Sequence, residues 1–178
     1  SYGPGSVDRA RLESALGRLK DANLDLTCTI GGVQVQGSGP EFTTVSPHEH
    51  ARVLGRGRGA AHGEAVAALD AAKAAAPQWR RLSYDDRAAI FLKAADLLAG
   101  PWRDTLNAAT MLGQGKTVHQ AEIDSTCELI DFWRYNVQFA ADLWAEQPVS
   151  APGMWNRMEY RGLEGFVYAV TPFNFTAI

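Results

Sequence analysis

Apolar residues along most of the chain recur at intervals of three or four positions, which is the spacing of one face of an α-helix. Side-chain caps mark where several helices begin, because a serine or threonine oxygen can accept the free backbone N–H groups of a first turn. Ser6, Ser83 and Thr117 are such residues. The pattern predicts five helices, at residues 6–20, 60–76, 83–99, 103–112 and 118–144, with Pro77 ending the second.

Shorter stretches alternate polar residues with β-branched and aromatic ones, which is typical of strands. Gly31-Gly32 separates two of them and predicts a hairpin turn. The pattern predicts two strand pairs, residues 26–30 with 33–36 and residues 42–45 with 51–54. A last apolar run, 166–170, predicts a buried strand that stops before Pro172, which cannot donate a backbone hydrogen bond.

Two polar stretches near the second strand pair suggest chemistry at first sight. His48-Glu49-His50 has metal-ligating residue types, but a metal site needs a third and fourth ligand, and a polar turn is the simpler interpretation. Residues 55–59 alternate glycine and arginine. No helix opens on their third glycine, so they lack the dinucleotide-binding fingerprint and are interpreted as a flexible basic loop.

The helix predicted at 118–144 is the longest element, and it has two different faces. One face is apolar and is predicted to face the core; it holds Ile123, Cys127, Ile130, Val137, Ala141 and Trp144. The other carries Asp124, Glu128, Asp131 and Tyr135. Three carboxylates on one line repel each other when buried, so the residues alone favour a solvated face over a functional one.

Composition excludes several classes of protein. The chain has 178 residues, of which 46% are hydrophobic and 21% charged, as in a soluble globular domain. Its net charge of −3 gives no electrostatic case for nucleic acid. No apolar run approaches a membrane span, and no secretory signal is visible. Cys28 and Cys127 are expected to be free thiols in a reducing compartment.

Gly113-Gln-Gly-Lys-Thr117 ends like a phosphate-binding loop. That motif requires a glycine at position 110, where this chain has Thr110, and a strand before the loop, where the pattern predicts a helix. Nucleoside triphosphate binding is therefore rejected. The same residues predict a helix end at Gly113 and a new start at Thr117, whose capping box is completed by Gln120.

Asn174 lies between two phenylalanines near the end of the chain. An unpaired carboxamide in an apolar setting costs about 1–3 kcal/mol, so this side chain needs a partner. Two interpretations stay open from the residues alone: the side chain caps a turn, or its NH₂ group is kept for a substrate oxygen.

Residues 165–178, with their Pro172-Phe-Asn-Phe175 motif, resemble the first Rossmann strand and following turn of the aldehyde dehydrogenase superfamily. The ending Phe-Asn-Phe-Thr-Ala-Ile is similar to one branch, the L-glutamate-γ-semialdehyde (1-pyrroline-5-carboxylate) dehydrogenases. Residues 113–124 and the run Glu128-Leu-Ile-Asp-Phe132 resemble the same branch. The resemblance extends from about Val45 to Ile178.

This resemblance implies an α/β fold, the N-terminal portion of the aldehyde dehydrogenase fold. The expected organisation is a helical and stranded part of the NAD-binding domain at 1–147, an oligomerisation arm at 148–162, and a truncated first Rossmann strand with the oxyanion turn at 163–178. Exposed strand edges favour pairing between subunits, so the complete protein is expected to be a homo-oligomer. The expected location is the cytoplasm or, alternatively, the mitochondrial matrix.

The implied chemistry is oxidation of L-glutamate γ-semialdehyde to L-glutamate with NAD, in proline breakdown, without a metal. The resemblance assigns Asn174 as oxyanion stabiliser, Thr171, Pro172 and Phe173 to cofactor binding, and Phe175, Glu128 and Tyr135 to the substrate. The family's nucleophilic cysteine, base glutamate and NAD-binding glycine loop have no match in these residues. The chain alone is therefore expected to be inactive, and a catalytically inactive module that pairs with full-length subunits is the alternative.

Overall fold

A computed structural model describes all 178 residues. The chain forms six α-helices, one π-helical segment and five strands. In order they are α1 (Val7–Lys20), β1 (Leu24–Leu26), β2 (Cys28–Ile30), β3 (Val33–Val35), β4 (Glu41–Ser46), β5 (Glu49–Arg58), α2 (His62–Arg81), α3 (Tyr84–Ala99), α4 (Arg103–Gln114), α5 (Val118–Ala121), the π-helical segment (Glu122–Cys127) and α6 (Glu128–Ala145).

The helix starts follow the predicted caps. Ser6 accepts from the backbone N–H of Arg9, and Ser83 accepts from that of Asp86. Thr117 and Gln120 form the predicted capping box at the start of α5. These predictions are confirmed. Caps can be predicted from sequence because a cap depends only on residues within one turn.

The strands form two separate units. The three-stranded sheet has the order β1-β5-β4, with β1 parallel and β4 antiparallel to β5, and the hairpin β2-β3 stands apart. Both predicted strand pairs are confirmed. The second is longer than predicted, since only Pro47 and His48 separate its strands.

The interpretation of residues 55–59 as a flexible loop is wrong, because residues 55–58 belong to the central strand β5. A Cβ on Gly55 would meet the Leu24 carbonyl oxygen at 2.8 Å, and one on Gly57 would meet that of Leu26 at 2.5 Å. Glycine is therefore needed for close strand approach. Arg58, one of the arginines that alternate with these glycines, forms an ion pair with Glu41 on the neighbouring strand, with 2.9 Å between nitrogen and oxygen.

The second helix does not end at Pro77, as the sequence predicts, but continues to Arg81. Proline removes its own hydrogen bond to the preceding turn, yet the residues after it can still donate to the carbonyls before them. Here the helix gains one further turn, in which Leu82 N–H bonds to the Trp79 carbonyl.

The buried core is small and lies between helices. Leu12 and Ala15 of α1 pack on Ala108 of α4, and Ala95 and Leu98 of α3 pack on Ile130 of α6. Only 17 of the 178 residues are buried, while many large apolar side chains are exposed. Apolar surface on this scale is typical of protein–protein contact faces.

The predicted core face of the long helix is only partly right. Ile130 is buried, whereas Ile123 and Cys127 are exposed. The reason is the π-helical segment. A π-helical turn holds more residues than an α-helical turn, so side chains in this segment do not lie on the face that α-helical spacing predicts. Ser125 and Thr126 are buried instead.

Residues 148–178 run without helix or strand, and most of them are exposed. The strand predicted at 166–170 is therefore not formed in this chain, and those residues are not buried. A strand needs hydrogen-bonding neighbours, and no strand of either sheet pairs with this segment. Residues 148–162, the predicted oligomerisation arm, likewise form no strand here.

Helix α4 ends two residues later than predicted, after Gln114, because Gly115 takes the left-handed conformation with φ of 64°. A Cβ there would also lie 3.3 Å from Pro47 Cγ. We expect Gly115→Ala to lower the free energy of unfolding by about 1–2 kcal/mol. Urea titration measures this change.

Gly113→Ala is the matched control for this prediction. Gly113 lies inside α4, and a Cβ there meets nothing within 4 Å. Since alanine favours helix over glycine by about 0.8–1 kcal/mol, this variant is expected to be neutral or more stable than the wild type. Equal destabilisation by both substitutions would contradict the role given to the backbone of Gly115.

Candidate functional site

The turn around Asn174 is held from the end of α4. Phe173 and Asn174 form the turn itself. Gln114 donates from Nε2 to the Phe173 carbonyl oxygen at 3.3 Å, and Lys116 donates from Nζ to the Asn174 carbonyl oxygen at 2.7 Å. Two consecutive backbone carbonyls of the turn are thus fixed by side chains that flank Gly115.

Lys116 makes two further contacts. Its ammonium pairs with the Asp124 carboxylate at 2.5 Å and lies 4.5 Å from the centre of the Phe175 ring. The side chains of Lys116 and Asp124 are 16% and 23% exposed. This is a largely shielded ion pair, and such pairs are screened less by salt than exposed ones.

The side chain of Asn174 makes no hydrogen bond within the chain, although its backbone carbonyl is bound. The interpretation as a turn cap is therefore not supported. An amide NH₂ carries two donors and does not titrate, so it can serve an oxygen that becomes negatively charged. The geometry fixes the backbone of the turn and leaves this donor group available.

The three residues before Asn174 are exposed, and Phe173 is 96% exposed. Neither Thr171 nor Pro172 takes part in a backbone–backbone hydrogen bond. The Thr171 carbonyl is consequently free to accept a hydrogen bond from a bound molecule.

Glu128 and Tyr135 lie on α6, apart from this turn. Both are exposed, and Glu128 has no ion-pair partner. The Tyr135 ring stacks on Phe139 with centroids 6.1 Å apart. No hydrogen bond, ion pair or ring contact joins either residue to Asn174, so the structure brings Lys116, Asp124 and Phe175 to the turn but not these two.

Sequence reasoning missed Lys116, Gln114 and Asp124 as residues of this site. The motif that contains Lys116 indicates a helix boundary and resembles the dehydrogenase branch, but neither interpretation gives the lysine a role in the site. The sequence signal for this site is a lysine directly after Gly115, followed by an aspartate in the next helical element.

A second polar cluster surrounds Glu122, in the π-helical segment. Its carboxylate accepts from the Tyr2 hydroxyl at 2.7 Å and from Asn107 Nδ2 at 2.6 Å, and it pairs with Arg103. Burial alone would raise the pKa of Glu122, but hydrogen bonds from Arg103, Tyr2 and Asn107 outweigh it and hold the pKa below its usual value. Burial and the bond to Glu122 raise the pKa of Tyr2 to about 12.

Cys127 borders this cluster, with Sγ 3.8 Å from the Glu122 carboxylate. Partial burial of the thiol and the nearby negative charge raise the pKa of Cys127. Because thiolate is the nucleophilic form, this environment opposes a catalytic role.

The described residues contain no cluster of three or more metal-ligating His, Cys, Asp or Glu side chains. His48 instead lies beside Ser46, with 3.3 Å between the hydroxyl and each ring nitrogen. Among the helices, none combines the length and the apolar character that crossing a membrane requires.

A model of the aldehyde dehydrogenase family matches residues 34–178. The delta-1-pyrroline-5-carboxylate dehydrogenase of Agaricus bisporus is 48% identical over 180 residues, which cover 100% of this chain and 33% of that protein. The human mitochondrial delta-1-pyrroline-5-carboxylate dehydrogenase is 46% identical over 178 residues, covering 100% of this chain and 31% of its own. The chain thus spans about a third of the length of these relatives.

Solved structures give the same result. The delta-pyrroline-5-carboxylate dehydrogenase of Mycobacterium tuberculosis, bound with NAD, is 55% identical with a TM-score of 0.96, covering 98% of this chain and 33% of that one. The Thermus 1-pyrroline-5-carboxylate dehydrogenase with bound NAD is 28% identical with a TM-score of 0.75, covering 84% and 29%. The predicted α/β class, as the N-terminal portion of this fold, is confirmed. The chain belongs to the aldehyde dehydrogenase family.

Proposed function

We propose that this chain is the N-terminal portion of an NAD-dependent dehydrogenase that oxidises L-glutamate γ-semialdehyde, formed from 1-pyrroline-5-carboxylate, to L-glutamate. Support comes from relatives of that name, which are 46–48% identical over the whole of this chain. The overall reaction takes an aldehyde, NAD⁺ and water to a carboxylate, NADH and two protons. This chain is one part of the machinery, and the nucleophile and the base are supplied by other residues.

The observation that carries the proposal is the free carboxamide of Asn174 on a turn whose backbone is held in place. When a nucleophile adds to the aldehyde carbonyl, the oxygen gains negative charge. A fixed, neutral donor at that point stabilises the transition state more than the ground state. Asn174 donates this hydrogen bond, and it needs no change of protonation to do so.

The residues before Asn174 would hold NAD beside the same turn, and the bound cofactor would supply the hydride acceptor. Thr171, Pro172 and Phe173 supply an exposed surface for it, including the unpaired Thr171 carbonyl. These residues hold and orient the cofactor next to Asn174.

Three residues serve the substrate in this proposal. The Phe175 ring, half-buried against Lys116, contacts the aliphatic part of the aldehyde. Glu128 is exposed and unpaired, so its carboxylate is available for the α-ammonium group. Tyr135 forms part of the wall of the tunnel through which the aldehyde enters.

In the complete protein, residues 1–147 belong to the NAD-binding domain, 148–162 form an oligomerisation arm, and 163–178 supply the first Rossmann strand and the oxyanion turn. The exposure of Val149 and Trp155, at 90% and 78%, supports pairing of the arm with another subunit. A homo-oligomer in the cytoplasm or the mitochondrial matrix is part of this proposal, with no nucleic-acid or membrane partner.

The experiment is to purify the gene product from its source cells, measure its intact mass, and follow NADH formation with glutamate semialdehyde. A mass near three times the 19.3 kDa of this chain, with NADH formation, supports the proposal. The 178-residue chain on its own is expected to form no NADH. A product of three-fold mass that does not oxidise glutamate semialdehyde would refute the substrate, and a 19.3 kDa product would favour the inactive pairing module.

A further inference from the structure

We propose that Lys116 is a positioning residue, whose ammonium group holds the Asn174 peptide and the Phe175 ring so that the Asn174 carboxamide meets the reacting carbonyl oxygen. The inference rests on the proposed function. It assigns to this site a residue that touches neither the aldehyde nor the cofactor and that acts through Asn174.

The contacts of Lys116 all converge on one turn. Its Nζ atom donates to the Asn174 carbonyl oxygen at 2.7 Å and lies 4.5 Å from the Phe175 ring centre. An ammonium group has three donors around one point charge, so it can bond an oxygen, pair with a carboxylate and face a ring at once. No other side chain of the structure contacts both Asn174 and Phe175 in these ways.

Asp124 keeps this ammonium group in place. A free lysine side chain loses up to about 2 kcal/mol of rotamer entropy when it is ordered, so a lone contact to an exposed turn would hold it poorly. The 2.5 Å pair with Asp124, at 16% and 23% side-chain exposure, fixes it beforehand. Because Asp124 lies in the π-helical segment, which continues directly into α6, the turn is tied to a helical element rather than to a loop.

The backbone before Lys116 also helps to hold the turn around Asn174. Left-handed Gly115 ends α4 and directs the chain so that Gln114 and Lys116 both reach the turn, on Phe173 and Asn174 respectively. A displacement of about 1 Å at a catalytic group costs on the order of 10²-fold in rate. Loss of the ammonium contact is therefore expected to affect catalysis through the position of Asn174.

The first test uses the complete NAD-reducing gene product. Lys116→Met is expected to lower kcat about 10- to 100-fold with KM changed less than about three-fold. Lys116→Arg, which keeps the charge, is expected to recover much of the loss. In an Asn174→Ala background, Lys116→Met is expected to cause no further loss, since its effect acts through that carboxamide.

The second test needs no activity and uses the 178-residue chain. Limited chymotrypsin digestion, mapped by mass spectrometry, reports cleavage after Phe173 and Phe175. Lys116→Met is expected to speed these cleavages several-fold and leave cleavage after the remote Trp155 unchanged. Lys93→Met, an exposed lysine of α3 with no ion-pair partner, is the control and is expected to change neither.

The two tests separate the two proposals. Equal digestion of the Lys116→Met and Lys93→Met chains overturns the positioning role alone. A kcat loss that persists in full in the Asn174→Ala background overturns the action through Asn174. A complete wild-type protein that forms no NADH overturns the proposed function, and with it the catalytic meaning of Lys116, even where digestion shows that the lysine holds the turn.

Discussion

Replacement of Asn174 by alanine in the complete gene product is expected to lower kcat by about 10²- to 10³-fold, because one fixed oxyanion donor is worth that much in related chemistry. The side chain makes no hydrogen bond within this chain, so its removal leaves no buried partner unsatisfied. The free energy of unfolding should therefore stay nearly constant while kcat falls. Steady-state NADH formation and a urea titration on the same preparation measure both.

Asn174→Gln is the informative companion to that variant. It keeps the carboxamide but moves it by one methylene, and it should remain closer to Asn174→Ala than to the wild type, because the donor has to lie where the charge develops. An unchanged kcat for Asn174→Ala would contradict the oxyanion role. A large fall in the free energy of unfolding without a fall in kcat would indicate that Asn174 has a structural role instead.

The second large effect concerns stability. Glu122→Gln is expected to lower the free energy of unfolding by about 2–4 kcal/mol at neutral pH, because it removes a charge that is bound by a guanidinium, a phenol and an amide in a partly buried site. Those partners are Arg103, Tyr2 and Asn107. Urea titration of the variant against the wild type measures the loss.

The same pair of proteins gives a pH test with a definite sign. The folded pKa of Glu122 is depressed, so its stabilisation is complete above the ordinary glutamate pKa of 4.5 and is lost as pH falls through the lower, folded value. The difference between wild type and Glu122→Gln should therefore shrink on acidification from pH near 7. Glu13→Gln, in an exposed ion pair with Arg9, is the control and should stay within about 0.5 kcal/mol of wild type. A difference that grows toward acid pH would contradict the assignment.

Sequence reasoning located the features that depend on near neighbours along the chain. The caps at Ser83 and Thr117 are local, because donor and acceptor lie within one turn. The Gly31-Gly32 hairpin is equally local, and both glycines adopt positive φ as the turn requires. The motif around Asn174 likewise pointed to the turn that the structure shows to be held in place.

The features that it missed depend on partners far away in sequence. Gly55 and Gly57 look like loop residues until Leu24 and Leu26 are placed against them in a parallel register. Ile123 lies in the π-helical segment and is exposed, because the spacing of a regular α-helix, on which the prediction rests, does not hold there. The role of Lys116 depends on its contact with Asn174, which lies 58 residues later in the sequence.

The bond between Tyr2 and Glu122 joins residues 120 positions apart, and this separation bears on how the protein is made. A ribosome that adds roughly 5–20 residues per second needs about 6–24 s to synthesise the chain between them. Throughout that interval Tyr2 lacks its carboxylate partner, and for most of it α1 also lacks Ala108, on which it packs. The hydroxyl of Tyr2 is thus synthesised well before the carboxylate that it binds, and its segment cannot dock on the nascent chain until Glu122 has been made.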